Sequence, residues 1–316
     1  MIEHYVTLFD SLFLPQGLAL HQSMERHIKE YTLWILCVDD EAFEVIQKLS
    51  LPNVRLLQLS MLETDELLRV KGERSKGEYC WTLTPFAPRF VFEQDRSVQR
   101  VTYLDADLWF RKNPAAIFRE FDASGKHVLI TDHAYAPEYD HSATSGQYCV
   151  QFMTFARDGG EVVRKWWEDR CVEWCYARCE DGKFGDQKYL DDWPERFLNQ
   201  VHVLQQKECM QAPWNAVRYP YGQCVAYHFH GLRLLEKDRV LLAPNYPLPK
   251  PVVDNVYKPY LEDFDAAVRY LKGNGYEPKA QTAIPGLLSL AKAYLRLPYG
   301  NLWRLWVNRV LSLQYS

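Results

Sequence analysis

From His4 to Phe121, apolar runs of strand length alternate with amphipathic runs of helix length, and that alternation leaves few folds open. "HYVTLF" reads as a strand and is followed by a helix from about Gly17 to Ile28. "TLWILCV" is a second strand ending before Asp39-Asp40, and "AFEVIQKL" is the next helix. "NVRLLQL" gives a third strand, "TPFAPRFVFEQ" a helix with Pro85 suited to its first turn, and "RVTYLDAD" a fourth strand. "NPAAIFREF" then places Asn113 as an N-cap and Pro114 at the first helical position. Strands separated by helices predict an α/β fold with a mostly parallel central sheet and helices on both faces.

The second half is less regular. "HVLITD" and "YCVQFMTF" read as strands, and the spacing predicts a long helix from about Gly160 to Cys179. A short helix is expected in "FGDQKYLDDW" and a late strand in "VAYHFHG". Pro244 to Tyr257 is proline-rich and is expected to be extended. The division that follows is an α/β domain over 1–243, a linker over 244–262 and a helical, basic amphipathic extension over 263–316.

Composition excludes several classes. A formal charge of −4 offers no basic field for nucleic acid. Eight cysteines in 316 residues do not make a dense disulfide framework, and no run reaches the roughly 18 apolar residues of a membrane span. The first residues lack the cationic start of a signal peptide and carry Glu3 and Asp10. A cytoplasmic protein with reduced thiols is expected.

"VTYLDADLWF" carries the chemistry. Ligands of open parallel sheets bind at the carboxyl ends of strands, where Asp105 and Asp107 fall. Two carboxylates one residue apart suit a hard divalent cation, Mn²⁺ or Mg²⁺, which in turn neutralises a diphosphate. The bland alternative is a turn in which Asp107 accepts local backbone hydrogen bonds. A phosphatase of the haloacid dehalogenase type also ends a strand in Asp-x-Asp, but it uses the first strand and wants Thr or Val where Trp109 stands. In "VAYHFHGL", His228 and His230 lie two apart and would share a strand face, and imidazole can complete a site begun by carboxylates.

"YLDAD" followed by "HFHG" resembles the Asp-x-Asp and His-Phe-x-Gly motifs of the retaining glycosyltransferases of family 8 and their relatives. "YCWTLTPFAPRF", "GQYCV", "FGDQKYLDDWP" and "APWN" are similar to further signatures of a bacterial branch of these enzymes, over about residues 5–232. Two departures bear on the acceptor: Cys149 stands where Asn is expected, and "KECMQ" precedes "APWN" without the small and polar residues expected there.

The resemblance implies a GT-A fold with a C-terminal helical extension and a metal held by Asp105, Asp107 and His228, His230 being secondary. It implies a nucleotide-diphosphate sugar donor, a UDP-sugar first among them. Asp186 and Gln187 would line the reaction centre. Thr7, Asp10 and Asp39, with Tyr79 and Thr82 nearby, would hold the nucleotide; capping or turn roles are the alternative for each. Trp214 and Asn215 would face the acceptor, or Trp214 would be core. The implied activity is sugar transfer, with retention, to a glycan or glycolipid of a bacterial surface polysaccharide such as lipopolysaccharide, O-antigen or capsule. An idle sugar-nucleotide or glycan-binding protein, or a sugar-nucleotide hydrolase, are the competing classes.

Two features are read separately. Cys171, Cys175 and Cys179 recur every four residues and are expected as one buried helical stripe with Val163 and Trp167. From Gln281 onward no acidic residue occurs, while Lys292, Arg296, Arg304 and Arg309 are cationic and tryptophans intervene. This pattern suits the surface of an anionic membrane, placing the protein on its inner face, or else a docked helix.

Overall fold

A computed structural model describes residues 2–219, 221–246 and 248–280, together with the backbone of Val310–Ser312. Its strands are β1 Glu3–Phe9, β2 Tyr31–Cys37, β3 Val54–Gln58, β4 Arg100–Asp105, β5 Leu108–Phe110, β6 Val128–Asp132 and β7 Tyr148–Ala156, then β8 Val201–Val203, β9 Met210–Gln211, β10 Ala226–His228, β11 Arg233–Leu235, β12 Arg239–Leu241 and β13 Val310–Ser312. The helices are α1 Leu14–His27, α2 Asp40–Leu49, α3 Asp65–Lys71, α4 Lys76–Leu83, α5 Phe86–Gln94 and α6 Ala115–Ser124, then α7 Ser142–Ser145, α8 Arg157–Glu173, α9 Trp193–Arg196, α10 Lys250–Val252 and α11 Lys258–Gly273.

The central sheet has the order β3-β2-β1-β4-β7-β6-β8. All its pairings are parallel except those of β7, which runs against both neighbours. Side chains alternate across the sheet as the pleat requires. Val6, Leu8, Val101 and Tyr103 enter a core with α4, α5 and α8, while Tyr5, Phe9 and Leu104 enter another with α1 and α6. The mostly parallel sheet with both faces covered, expected from the alternation, is present.

Parallel register decides where the site lies. Phe9 pairs with Cys37 and Leu8 with Asp105, so Asp10, Asp39 and Asp105 all emerge at one edge. The first helix is pressed onto that edge. A Cβ added to Gly17 in α1 would lie 2.5 Å from the Phe9 ring, which is itself only 3% exposed. Gly17→Ala is therefore expected to lower stability by roughly 1–3 kcal/mol, the usual cost of overpacking, read as a shift in the urea midpoint with unchanged slope.

Three local expectations are corrected. The long helix begins as expected after a break at Asp158 and Gly159 but stops at Glu173, not Cys179. Beyond it, Arg178 lies over the rings of Trp174 and Tyr176, and Glu78 accepts a hydrogen bond from the Ala177 N–H (2.8 Å). These contacts replace further helix, so Cys171 and Cys175 are buried but Cys179 is exposed, and the three form no stripe. In the proline-rich stretch, helix starts at Lys250, because prolines at first-turn positions fit helix starts. Val252, Val253, Val256, Tyr257, Tyr260 and Phe264 then recur at helical spacing and are buried against β10 and its neighbours. Finally, α6 begins at Ala115, one residue later than expected, with the Asn113 side chain accepting from its N–H (2.8 Å).

α11 packs along α1: Asp263 accepts from Arg26 (2.9 Å) and from the Trp109 indole (2.6 Å). No described helix is long and apolar enough to cross a membrane. The basic segment 281–309, on which the membrane expectation rests, lies outside the described residues; Val310–Ser312 pair antiparallel with β12.

Candidate active site

Asp105 is the last residue of β4, and Asp107 stands in the two-residue turn to β5. β5 pairs antiparallel with β10 in the register Leu108 to His228, which carries His228 back to the aspartates. The Phe229 N–H donates to the Asp107 carbonyl (2.9 Å) and fixes the turn. One ligand atom from each of Asp105, Asp107 and His228 lies within 4.8 Å of the others. His228 Nε2 is 3.1 Å from Asp107 Oδ1 and 3.7 Å from Asp105 Oδ2, while its Nδ1 is hydrogen-bonded to Gln151 Oε1 (2.9 Å). The Tyr103 hydroxyl donates to Asp105 (3.0 Å).

The electrostatics are those of a site short of positive charge. Burial drives Asp105 upward, and Asp107 adds to this while His228 opposes it. Burial also opposes ionisation of Asp107, but the His228 charge outweighs it and holds that carboxyl down. Asp107 in turn holds His228 well above its ordinary value against a large burial penalty. Two carboxylates and an oriented imidazole are a donor set that Mn²⁺ accepts, and three protein ligands leave positions for substrate oxygens. The residues present fit such an ion.

His230 does not continue the strand. β10 ends at His228, the chain turns at Gly231 (φ +80°), and the exposed His230 ring sits 5.6 Å from that of His228.

A cleft of about 590 Å³ brings Asp10, Asp105, Asp107, Asp186, Gln187 and His228 together. Asp186 follows the left-handed Gly185 (φ +53°) and is 2% exposed. Its carbonyl accepts from the Trp167 indole (2.8 Å), whereas its carboxylate Oδ2 has no partner. Burial pushes its pKa up to about 7, with the charge of Asp105 adding to the effect. The Gln187 amide donates to the Ser145 carbonyl (2.6 Å), so the residue is braced by the end of α7, which also lines the cleft.

At the other end, Asp10 accepts from the Leu12 N–H (3.0 Å) and meets Lys76 (2.6 Å). Asp39 caps α2 and accepts from the Ser11 backbone (3.1 Å) and hydroxyl (2.8 Å), the Ala42 N–H (2.9 Å) and Lys76 (3.2 Å). Asp39 thus joins the site through Ser11 and Lys76.

Three expected nucleotide contacts are not brought to the cleft. Thr7 is fully buried inside the sheet. The Tyr79 hydroxyl donates to Glu63 (2.6 Å), and Thr82 donates to the Glu78 carbonyl (2.8 Å) and accepts from Arg74. Helical phase is the reason: Lys76, Gly77, Cys80, Trp81 and Thr84 form the cleft side of α4 and its end, and 79 and 82 fall on the opposite side. Of the acceptor candidates, Trp214 lines the cleft. Asn215 is buried, donating to the carbonyls of His133 (2.9 Å) and Met210 (3.2 Å).

The structure adds Lys76, Trp81, His133, Tyr135, Arg233 and Tyr246 to the lining. For Lys76 a signal existed: Ser75 and Glu78 form a capping box, which puts Lys76 at the first turn of a helix facing the strand ends. Trp81 lies on the same side of α4, His133 and Tyr135 follow β6, Arg233 begins β11 and Tyr246 follows β12, and none of these carries a local signature.

No family model matches the sequence. Two uncharacterized proteins of Bacillus subtilis (strain 168) are similar to it. YfnD is 28% identical over 275 residues, covering 82% of this chain and 87% of its own, and YfnF is 29% identical over 259 residues, covering 76% and 85%. Among solved structures, the galactosyltransferase LgtC in complex with donor and acceptor sugar analogs superposes with a TM-score of 0.52 at 12% identity, covering 86% of this chain and 99% of that one. The apo-form glycosyltransferase GlyE of Streptococcus pneumoniae TIGR4 gives 0.51 at 14% identity, covering 90% and 66%. The fold is the GT-A fold of glycosyltransferases.

Proposed function

We propose that this chain is a metal-dependent glycosyltransferase that moves a sugar from a nucleotide-diphosphate donor, a UDP-sugar first among them, to a glycan or glycolipid acceptor. The observation carrying this reading is that the Asp105–Asp107–His228 cluster and the buried Asp186 share one cleft with Asp10 at the carboxyl end of β1. Donor turnover breaks the bond between the anomeric carbon and the diphosphate oxygen, and negative charge grows on the leaving group. Mn²⁺ or Mg²⁺ held by Asp105, Asp107 and His228 would supply charge to that diphosphate.

The chain's own groups do the rest. Asp10 in the cleft lining, with Asp39 behind it through Ser11 and Lys76, would accept from ribose hydroxyls or a base N–H. Lys76 and Arg233 are the lysine and arginine of the described cleft lining. Asp186, uncharged or charged with similar ease near neutral pH, would hydrogen-bond the transferred sugar together with Gln187. Retention of configuration and a role in bacterial surface polysaccharide are parts of the proposal that rest on the sequence resemblance. So is attachment through the basic tail to the inner face of a membrane, which sedimentation with anionic vesicles tests.

Nucleotide release from UDP-sugars with Mn²⁺, measured with and without glycan acceptors, tests the activity. Acceptor-dependent release is the expected result. Release that ignores the acceptor makes the chain a hydrolase, and binding without release makes it a binding protein. Within the nucleotide end, Asp10→Ala is expected to weaken donor binding about tenfold or more, roughly 1.4 kcal/mol. Tyr79→Phe should leave it unchanged, because that hydroxyl serves Glu63. Calorimetric titration of both variants checks the pair, and equal losses would return Tyr79 to the site.

A further inference from the structure

An imidazole ligates a metal only through a nitrogen that carries no proton, so a histidine ligand depends on which of its two nitrogens is left bare. Around His228, Nε2 faces Asp107 Oδ1 at 3.1 Å and Asp105 Oδ2 at 3.7 Å. Trp214 and His230 meet the ring edge-on at 5.3 and 5.6 Å, which limits its tilt without distinguishing the nitrogens. The Cys149 thiol also meets the imidazole, but a thiol is both a weak donor and a weak acceptor and leaves the choice open. Gln151 Oε1, 2.9 Å from Nδ1, only accepts. It requires the proton on Nδ1 and so directs the Nε2 lone pair to the aspartates.

The backbone delivers Gln151 through an irregularity in β7. Phe152 pairs with Leu104 in the regular ladder with β4, so Gln151 follows at the level of Asp105. On the other side of β7, Leu129 pairs with Thr154 but Thr131 pairs with Cys149, so residues 150–153 stand opposite Ile130 alone. Bulges re-aim side chains and recur next to active sites.

Gln151 is a poor choice for packing. It is fully buried, and while its oxygen meets the imidazole, its amide nitrogen has no hydrogen-bond partner among the described residues. A buried orphan of this kind costs stability. An apolar side chain of similar length would avoid that cost, as the buried Phe152 and Met153 beside it do. The oxygen is what a glutamine adds here.

We propose that Gln151 is a positioning residue for the metal: it holds His228 with Nε2 as the ligand atom, and Mn²⁺ affinity depends on its side-chain oxygen. The proposal rests on the metal reading of the Asp105–Asp107–His228 cluster, but not on the sugar chemistry. A held Nδ1–H fixes the ring's orientation and makes Nε2 the stronger electron donor, which is how hydrogen-bond partners behind metal-bound histidines act.

Mn²⁺ titration of the full chain without donor, followed by electron paramagnetic resonance, tests it. Gln151→Leu is expected to weaken Mn²⁺ by about tenfold to a hundredfold, the range for losing a partner behind a metal ligand. Its metal-free melting should stay near the parent's, because one orphaned buried group replaces another. Gln151→Met, unbranched and of similar length, should behave like Gln151→Leu and serves if the leucine variant does not fold. Gln151→Glu keeps the accepting oxygen and should bind Mn²⁺ at least as tightly as the parent, since a carboxylate makes the ring a stronger ligand. Asp107→Asn, which should lose the ion, shows that the titration reads this cluster. The proposal is overturned if the folded leucine or methionine variant binds Mn²⁺ like the parent. It is also overturned if Gln151→Glu loses as much as they do, which would make the amide nitrogen the important end. A parent that binds no Mn²⁺ removes the metal reading and the proposal together, whereas Mn²⁺ binding without sugar transfer removes the transferase reading alone.

Discussion

Asp107→Asn is expected to abolish Mn²⁺-dependent donor turnover, by about 10³-fold or more, while the chain still folds. The magnitude follows from asking one carboxylate to help hold the cation proposed to meet the leaving diphosphate, several kcal/mol of charge stabilisation. The structure changes how this experiment must be built. From sequence, Asp107 is an exposed strand-end carboxylate that could be cut to alanine without cost; in the fold it is 8% exposed and faces His228 at 3.1 Å. Alanine would leave a buried imidazole without its partner, a penalty of about 1–3 kcal/mol, and lost folding would be confused with lost metal. Asparagine keeps the volume, and the turn's own hydrogen bond uses the backbone carbonyl, which the substitution leaves alone.

The same pair sets the pH dependence. Asp107 raises His228, so the metal-free protein keeps a proton there that an incoming ion must displace. Mn²⁺ affinity should therefore fall as pH is lowered through neutrality, with proton release on binding visible in buffers of different ionisation enthalpy. The paired imidazolium stabilises the metal-free fold below the ordinary histidine pKa, and this contribution is lost as pH rises through the raised one. Full turnover in excess chelator, or a Mn²⁺ isotherm unaltered by Asp107→Asn, would remove the metal from the mechanism.

What the sequence made legible follows from the range of each interaction. The strands around Val6, Ile35 and Leu104 are buried on both sides and read as continuous apolar runs, so their existence and the carboxyl-end position of Asp105 were accessible locally. The antiparallel course of β7 was not, because direction depends on how the chain returns after β6 and leaves no mark in "YCVQFMTF". The partnership of His228 with an Asp-x-Asp some 120 positions earlier came only through resemblance; what creates it is the antiparallel pairing of Leu108 with His228. Tyr79 and Thr82 failed for a different reason. Periodicity assigns them to one side of α4 and Lys76, Cys80 and Thr84 to another, but it does not say which side meets the strand ends. The cleft lining also draws on His133, Tyr135, Trp214 and Tyr246, and only the closed fold brings these distant positions together.

Asp186→Asn carries the other large expectation, and it runs in two directions at once. Transfer should fall by roughly 10²–10³-fold, the loss that follows removal of one positioned polar contact at a reaction centre, while stability rises. A carboxyl with 2% exposure and an unpartnered oxygen is an expensive group to bury charged, and its pKa of about 7 against an ordinary 3.8 records that cost. The sign follows from the raised value. Below about pH 4 the group is protonated in both folded and unfolded chains and asparagine should make little difference. As pH rises toward 7 the unfolded chain ionises freely and the folded one does not, so the parent loses stability at about 1.4 kcal/mol per pH unit. Above 7 the difference levels off at no more than about 4 kcal/mol in favour of the variant. Denaturation of both proteins without metal from pH 4 to pH 8, alongside donor turnover, reads the two effects together. A folded core does not retain an unpaired buried acid for its own stability, so a variant that is more stable and inactive would place Asp186 at the chemistry. Normal transfer by the variant would make Asp186 structural, and a flat stability difference across pH would show that its charge is compensated in the folded chain.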